Sequence, residues 1–172
     1  MANELYTRTN QKIFYAGLAL ESWRKAEEGR AMNAQGLIQA EREAALFHLY
    51  GALLGLCHEI AGYYRLPERD APRAEQLLSR AVLESAPSPE LAELVELAQH
   101  SETWLAQLLQ AYAELFLPPR EEKKAKADVL TPLIEAVSLD QEVTPVSRET
   151  LEAWRQQLKA LAQRFRESLT EW

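Results

Sequence analysis

The stretch AALFHLYGALLGLCHEIAGYY, residues 44–64, decides the fold. It contains no proline and is apolar over most of its length. Large apolar residues recur in it at intervals of 3, 4, 3, 4 and 3, which is the period of an α-helix. These positions are Leu46, Leu49, Leu53, Leu56, Ile60 and Tyr63. Because its other faces are apolar as well, we predict a central helix from about Asn33 to Tyr64, ended by Pro67.

The segments on both sides of this stretch predict further helices. They are rich in Ala, Leu, Glu, Gln and Arg, which favour helix, and they lack the alternation of apolar and polar residues that is typical of strands. The predicted helices span about residues 3–28, 33–64, 70–84, 88–117 and 147–172, with an irregular connection and one short helix in 120–146. The predicted fold class is all-α, an up-and-down bundle of four long helices plus one or two short helices, in a single domain over residues 1–172.

Composition and charge limit the classes of function. The net charge is −7 and the basic residues are scattered, so a nucleic-acid partner is not favoured. Cys57 is the only cysteine, which fits a reducing compartment. Residues 1–8 do not combine a basic start with an apolar stretch, so we expect them not to form a signal peptide. His48, His58 and Glu59 lie inside the apolar stretch, where they would be costly in a bilayer. We therefore expect a cytoplasmic protein that does not span a membrane.

A stripe of small residues and histidines follows one face of the predicted central helix. Its members recur at intervals of 4, 3, 4, 3 and 4, and we call them the glycine stripe: Ala44, His48, Gly51, Gly55, His58 and Gly62. Each glycine costs a helix about 1 kcal/mol relative to alanine, so the stripe indicates that something approaches the backbone closely. The group that approaches the backbone could be a neighbouring helix, a bound ligand or a dimer partner. A short loop near residues 31–32 makes the first two helices antiparallel, which places Tyr15 level with His48.

The same region carries the candidate catalytic residues. A small-molecule or metal-dependent enzyme would have its site between the first two helices, built from Tyr15, His48, His58 and Glu59. A second hypothesis is a helical ribonuclease of the Arg-x5-His kind, in which Arg42 would hold a phosphate and His48 would act as acid or base. The spacing of His and acidic residues matches no helical metal site, so neither a metal nor a cofactor is predicted.

Three segments carry a resemblance to a known family. They are MANELYTRTNQK (residues 1–12), QAEREAALFHLY (39–50) and CHEIAGYYR (57–65). In these segments the chain resembles a family of small all-helical bacterial proteins that is labelled as a domain of unknown function. The resemblance implies a helical bacterial protein, and it brings no activity, cofactor or catalytic residue with it.

The expected function rests on the helix surfaces. Each catalytic combination above also has a simpler explanation in packing or surface pairing, whereas the glycine stripe favours contact between helices. We therefore expect a non-enzymatic helical protein that acts through contact with an unidentified protein or through self-association, as in a homodimer.

Overall fold

The structure, a computed structural model, describes residues 2–118 and 145–170, with side chains from Leu5 onward. Within these residues the chain is helical and contains no strand, which confirms the all-α prediction. The helices are α1 (Ala2–Glu28), α2 (Ala34–Tyr63), α3 (Ala74–Leu77), α4 (Arg80–Ser85), α5 (Pro89–Gln99), α6 (Trp104–Glu114) and α7 (Arg148–Thr170). Residues 120–144 of the connection predicted for 120–146 lie outside the described part of the chain.

The central position predicted for α2 is confirmed. This helix packs against α1, α3, α5, α6 and α7, and its buried residues are distributed around its circumference. By length and composition alone α2 could cross a membrane, but 67% of its most apolar window is buried inside the fold. Burial against other helices is therefore a sufficient explanation of its apolar character.

α1 and α2 form an antiparallel hairpin with the register that the loop length predicts. The rings of Tyr15 and His48 lie with their centroids 5.4 Å apart. Two turns further along α1, the Ser22 hydroxyl donates a hydrogen bond of 3.0 Å to a carboxylate oxygen of Glu41. The hairpin thus aligns the start of α1 with the end of α2.

The predicted bundle of four long helices is not confirmed, because the segment predicted as one helix over residues 88–117 is two helices. α5 ends at Gln99, and His100 has an extended backbone. The Thr103 hydroxyl accepts a hydrogen bond of 3.2 Å from the Ala106 amide and donates one to the His100 carbonyl. A threonine that bonds neighbouring backbone groups in this way competes with the continuous helix and begins a new one. The helix predicted for 70–84 is divided in the same manner, since Ser79 caps α4.

α7 completes the core as predicted. The Ser147 hydroxyl accepts a hydrogen bond of 3.2 Å from the Thr150 amide at the start of the helix. Its inner face packs against α1, α2 and α6 and includes the predicted residues Leu151, Trp154, Leu158, Leu161 and Phe165, together with Ala162 and Leu169. As a result α1 packs mainly against α2 and α7, and the other helices of the described residues contact it less closely.

Candidate functional sites on the two sides of the α1–α2 pair

The glycine stripe is the contact line between α2 and α1. A Cβ atom built on Gly55 would stand 2.6 Å from the Thr9 hydroxyl and 3.3 Å from the Thr9 Cα atom. Thr9 is fully buried at this crossing. At Gly51 the nearest neighbour is the aliphatic stem of Lys12, and at Gly62 it is Leu5. Of the three occupants considered above, the neighbouring helix is the one that fills the stripe.

On the α7 side of the pair, Glu59 and Arg166 form a buried ion pair. The Glu59 side chain is only 1% exposed, and the Arg166 Nε and Nη2 atoms donate to its two oxygens at 2.9 and 2.8 Å. Arg166 also donates to Asn10 at 2.9 Å, and its guanidinium lies 4.8 Å from the centre of the Tyr6 ring. The hydrogen bonds to Glu59 raise the pKa of Arg166. This hydrogen-bonded group joins α1, α2 and α7.

His58 has a structural partner as well. Its Nε2 atom lies 2.7 Å from the carbonyl oxygen of Ala71, in the loop that follows α2. The same loop begins at Arg65, which has a positive φ of 54°, and the Leu66 amide donates to the Ala61 carbonyl. The imidazole of His58 thus ties the returning chain to the end of α2.

The outward-facing surface of the pair carries aromatic rings, from Phe14 on α1, which also borders α7, to Phe47 on α2. Phe47 packs edge-on against His48 with centroids 5.5 Å apart, and Phe14 contacts Tyr15 at 6.3 Å. The Lys12 ammonium lies 5.3 Å from the centre of the Phe47 ring. We call the group Phe14, Tyr15, Leu18, Phe47 and His48 the aromatic surface. Three of its members are half-exposed: Phe14 at 60%, Leu18 at 52% and Phe47 at 51%.

His48 is the least satisfied polar residue of the aromatic surface. Its Nδ1 atom is buried and has no hydrogen-bond partner among the described residues. Burial, and to a lesser extent the charge of Lys12, lower the pKa of His48. The imidazole therefore favours its neutral form and behaves as part of an apolar surface.

The structure brings only two of the predicted catalytic residues together. Tyr15 and His48 are in ring contact, whereas His58 and Glu59 bind the separate partners described above. Arg42, the phosphate-binding residue of the ribonuclease hypothesis, stacks on the Trp23 ring at 4.8 Å and donates to the Val146 carbonyl at 3.2 Å. With these contacts Arg42 packs on α1 and holds the chain just before the start of α7.

Metal binding and thiol chemistry find no assembled site in the described parts of the chain. Residues 2–118 and 145–170 contain no group of three or more His, Cys, Asp or Glu side chains that could hold a metal ion. Cys57 is fully buried, and burial raises the pKa of its thiol to about 12. A thiol with that pKa carries almost no thiolate at neutral pH, so Cys57 is a poor nucleophile.

Arg166 and Phe47 are not among the residues predicted from the sequence to form a site. A signal for a partner such as Arg166 was present, because a carboxylate at Glu59, in a helix that is apolar all round, favours a cation or other hydrogen-bond donors beside it. Phe47 carried no such signal, since it sits among apolar residues whose burial depends on the position of α7. The position of Lys12 beside the Phe47 ring was also not predictable, because the aliphatic part of its side chain packs in the space that Gly51 leaves on α2.

The fold and its surfaces define an all-helical protein held by a buried ion pair and carrying an exposed aromatic surface. A family model described as "Family of unknown function (DUF6586)" matches residues 1–172, and the chain belongs to that family. The resemblance to an all-helical family of unknown function, inferred from the three sequence segments, is thereby confirmed. No curated protein and no solved structure matches the chain.

Proposed function

We propose that the protein acts by self-association through the aromatic surface of α1 and α2. The observation that carries this proposal is the chain of ring contacts that runs from Phe14 through Tyr15 and His48 to Phe47. Phe14, Phe47 and Leu18, which follows Phe14 by one turn of α1, are each more than half exposed. Contiguous apolar groups on the surface of a folded protein mark contact sites more often than isolated ones do. Fully burying one such side chain contributes about 1.5–3 kcal/mol, so covering three half-exposed ones supplies a few kcal/mol.

Charge at the two ends of the aromatic surface favours a second copy as the occupant. Arg8 is exposed on α1 about two turns before Tyr15, and Glu43 is exposed on α2 about one turn before Phe47. Because the two helices are antiparallel, these residues lie toward opposite ends of the surface. A twofold axis through its centre would bring Arg8 of one copy toward Glu43 of the other. Such an arrangement is complementary to itself without any further partner.

The length of the helices is sufficient for a stable interface. α1 has 27 residues, which at 1.5 Å per residue makes it about 40 Å long. Two such helix pairs packed face to face can provide the roughly 1,200–2,000 Å² that specific interfaces bury. Aromatic residues near the centre and charged residues at the rim match the usual composition of these interfaces.

Sedimentation equilibrium on the purified full chain tests the proposal. We expect a mass of twice the 19.6 kDa chain at micromolar concentration, and a shift toward the single-chain mass in Phe47→Ser. Phe116→Ser is the matched control, because Phe116 is 70% exposed near the end of α6 and lies outside the aromatic surface. A single-chain mass for the wild type, or equal dissociation in both variants, would overturn self-association through this surface.

A further inference from the structure

A cleft separates α1 from α7 beside the buried ion pair. Its volume is about 350 Å³, within the roughly 300–1,000 Å³ of small-molecule sites. Ile13 and Phe14 of α1 and Ala162 of α7 provide apolar wall. The rest of the lining is polar and carries three cationic side chains, which is unexpected in a chain whose net charge is −7.

Arg155, which lines this cleft, does not use all of its hydrogen-bond donors. Its Nε and Nη2 atoms donate to Glu152 at 2.8 and 2.9 Å, which leaves the Nη1 group without a hydrogen bond among the described residues. That group lies against α1 at Gly17, where a Cβ atom would come within 3.2 Å of it. The glycine gives the guanidinium room against the helix, and the ion pair with Glu152 holds it in place.

Lys159, one turn further along α7, is an exposed cation. It forms no salt bridge within 4.0 Å to any carboxylate in the described parts of the chain, so its three N–H donors are available. Gln163 follows one turn later and adds an amide to the same wall. Arg166 at the inner end uses three of its five N–H groups on Glu59 and Asn10.

Donors outnumber acceptors in the cleft. Both oxygens of Glu59 and both oxygens of Glu152 accept hydrogen bonds from arginines, so neither carboxylate faces the lysine unpaired. Three cations against these two carboxylates leave a formal charge of about +1. A group that only accepts hydrogen bonds and carries negative charge is the chemical complement of this lining.

We propose that the α1–α7 cleft binds a small organic anion, with its phosphate or carboxylate group at Lys159 and Arg155 and its apolar part against Ile13 and Phe14. Isothermal titration calorimetry with phenyl phosphate and with benzoate tests this on the full chain and distinguishes the two anionic groups. We expect saturable binding of at least one probe below about 10 mM, and about tenfold weaker binding by Lys159→Met. Added salt should weaken the binding in the wild type.

Lys25→Met is the control, because it removes the same charge from an exposed position on α1 outside the cleft. Both lysines are exposed, so both variants should keep the helical circular dichroism of the wild type. Binding that falls in Lys159→Met alone supports the cleft. Equal weakening in both variants would mean that the anion responds to overall charge, and no saturable binding of either probe below about 10 mM would equally overturn the proposal.

Discussion

The two sides of the α1–α2 pair differ in how their polar groups are satisfied. On the α7 side, Arg166 donates two hydrogen bonds to Glu59 and a third to Asn10. On the other side, His48 keeps an unpaired nitrogen beside half-exposed rings. A paired, buried group holds a fold together, whereas an apolar surface with few hydrogen bonds gains by being covered. The difference separates a structural side from a contact side within one pair of helices.

Removing the Arg166 cation from the structural side should cause the largest loss of stability. Arg166→Met leaves the Glu59 carboxylate buried without its partner, which costs about 3–5 kcal/mol in comparable pairs. Urea unfolding measures the loss. Glu59→Leu combined with Arg166→Met should recover most of it, because no charge then remains buried.

Arg164→Met is the control for that experiment. Arg164 pairs with Glu93 on the protein surface, where both side chains are more than a third exposed. Such pairs contribute about 0–1 kcal/mol, so this variant should unfold almost as the wild type does. Equal losses in Arg166→Met and Arg164→Met would contradict the structural role of the buried pair.

A substitution in the glycine stripe, where α1 and α2 meet, should cause a smaller loss of stability. Gly55→Ala places a Cβ atom against the Thr9 hydroxyl and backbone, and overpacking of this kind costs about 1–3 kcal/mol. Gly36→Ala, in the same helix, meets nothing within 4 Å and should stabilise the protein by up to about 1 kcal/mol through helix propensity. Thermal unfolding of both variants checks the opposite signs. A stabilising Gly55→Ala would show that α1 does not pack there.

The smallest expected effect is the pH dependence of stability that His48 causes on the contact side. Burial lowers the pKa of His48 from 6.5, so at acidic pH the unfolded chain takes up a proton that the folded chain resists. The stability that this provides is present above pH 6.5 and is lost as pH falls through the lower folded pKa. We expect urea unfolding at about pH 7.5 and 5.5 to show a larger acid loss in the wild type than in His48→Gln. A smaller loss in the wild type would contradict the buried, neutral imidazole.

Much of the fold follows from local pattern, but the break between α5 and α6 does not. The period of apolar residues continues through His100 and Ser101, so periodicity alone predicts one helix there. The break depends on Thr103, whose hydroxyl bonds the backbone of both flanking turns. A threonine inside an amphipathic pattern is ambiguous until those bonds are seen, which is why the bundle of four long helices was predicted.

The candidate sites were less predictable than the fold, because they depend on where α7 lies. The loop length was sufficient to place Tyr15 beside His48, since hairpin register is a local property. Whether Glu59 faced a ligand or a cation depended on Arg166, more than 100 residues away in the chain. The exposure of Phe47 likewise depends on which side α7 leaves uncovered.

Disulfide formation at Leu18→Cys tests most directly whether the aromatic surface is the contact between two copies. The native Cys57 is buried and its thiol has a pKa of about 12, so it does not compete. Gln157→Cys, exposed on α7, is the matched control. We predict that mild oxidation links two copies rapidly through Leu18→Cys, slowly through Gln157→Cys, and slowly again when Phe47→Ser is added to Leu18→Cys. Linkage at Leu18→Cys no faster than at Gln157→Cys would contradict self-association through α1 and α2.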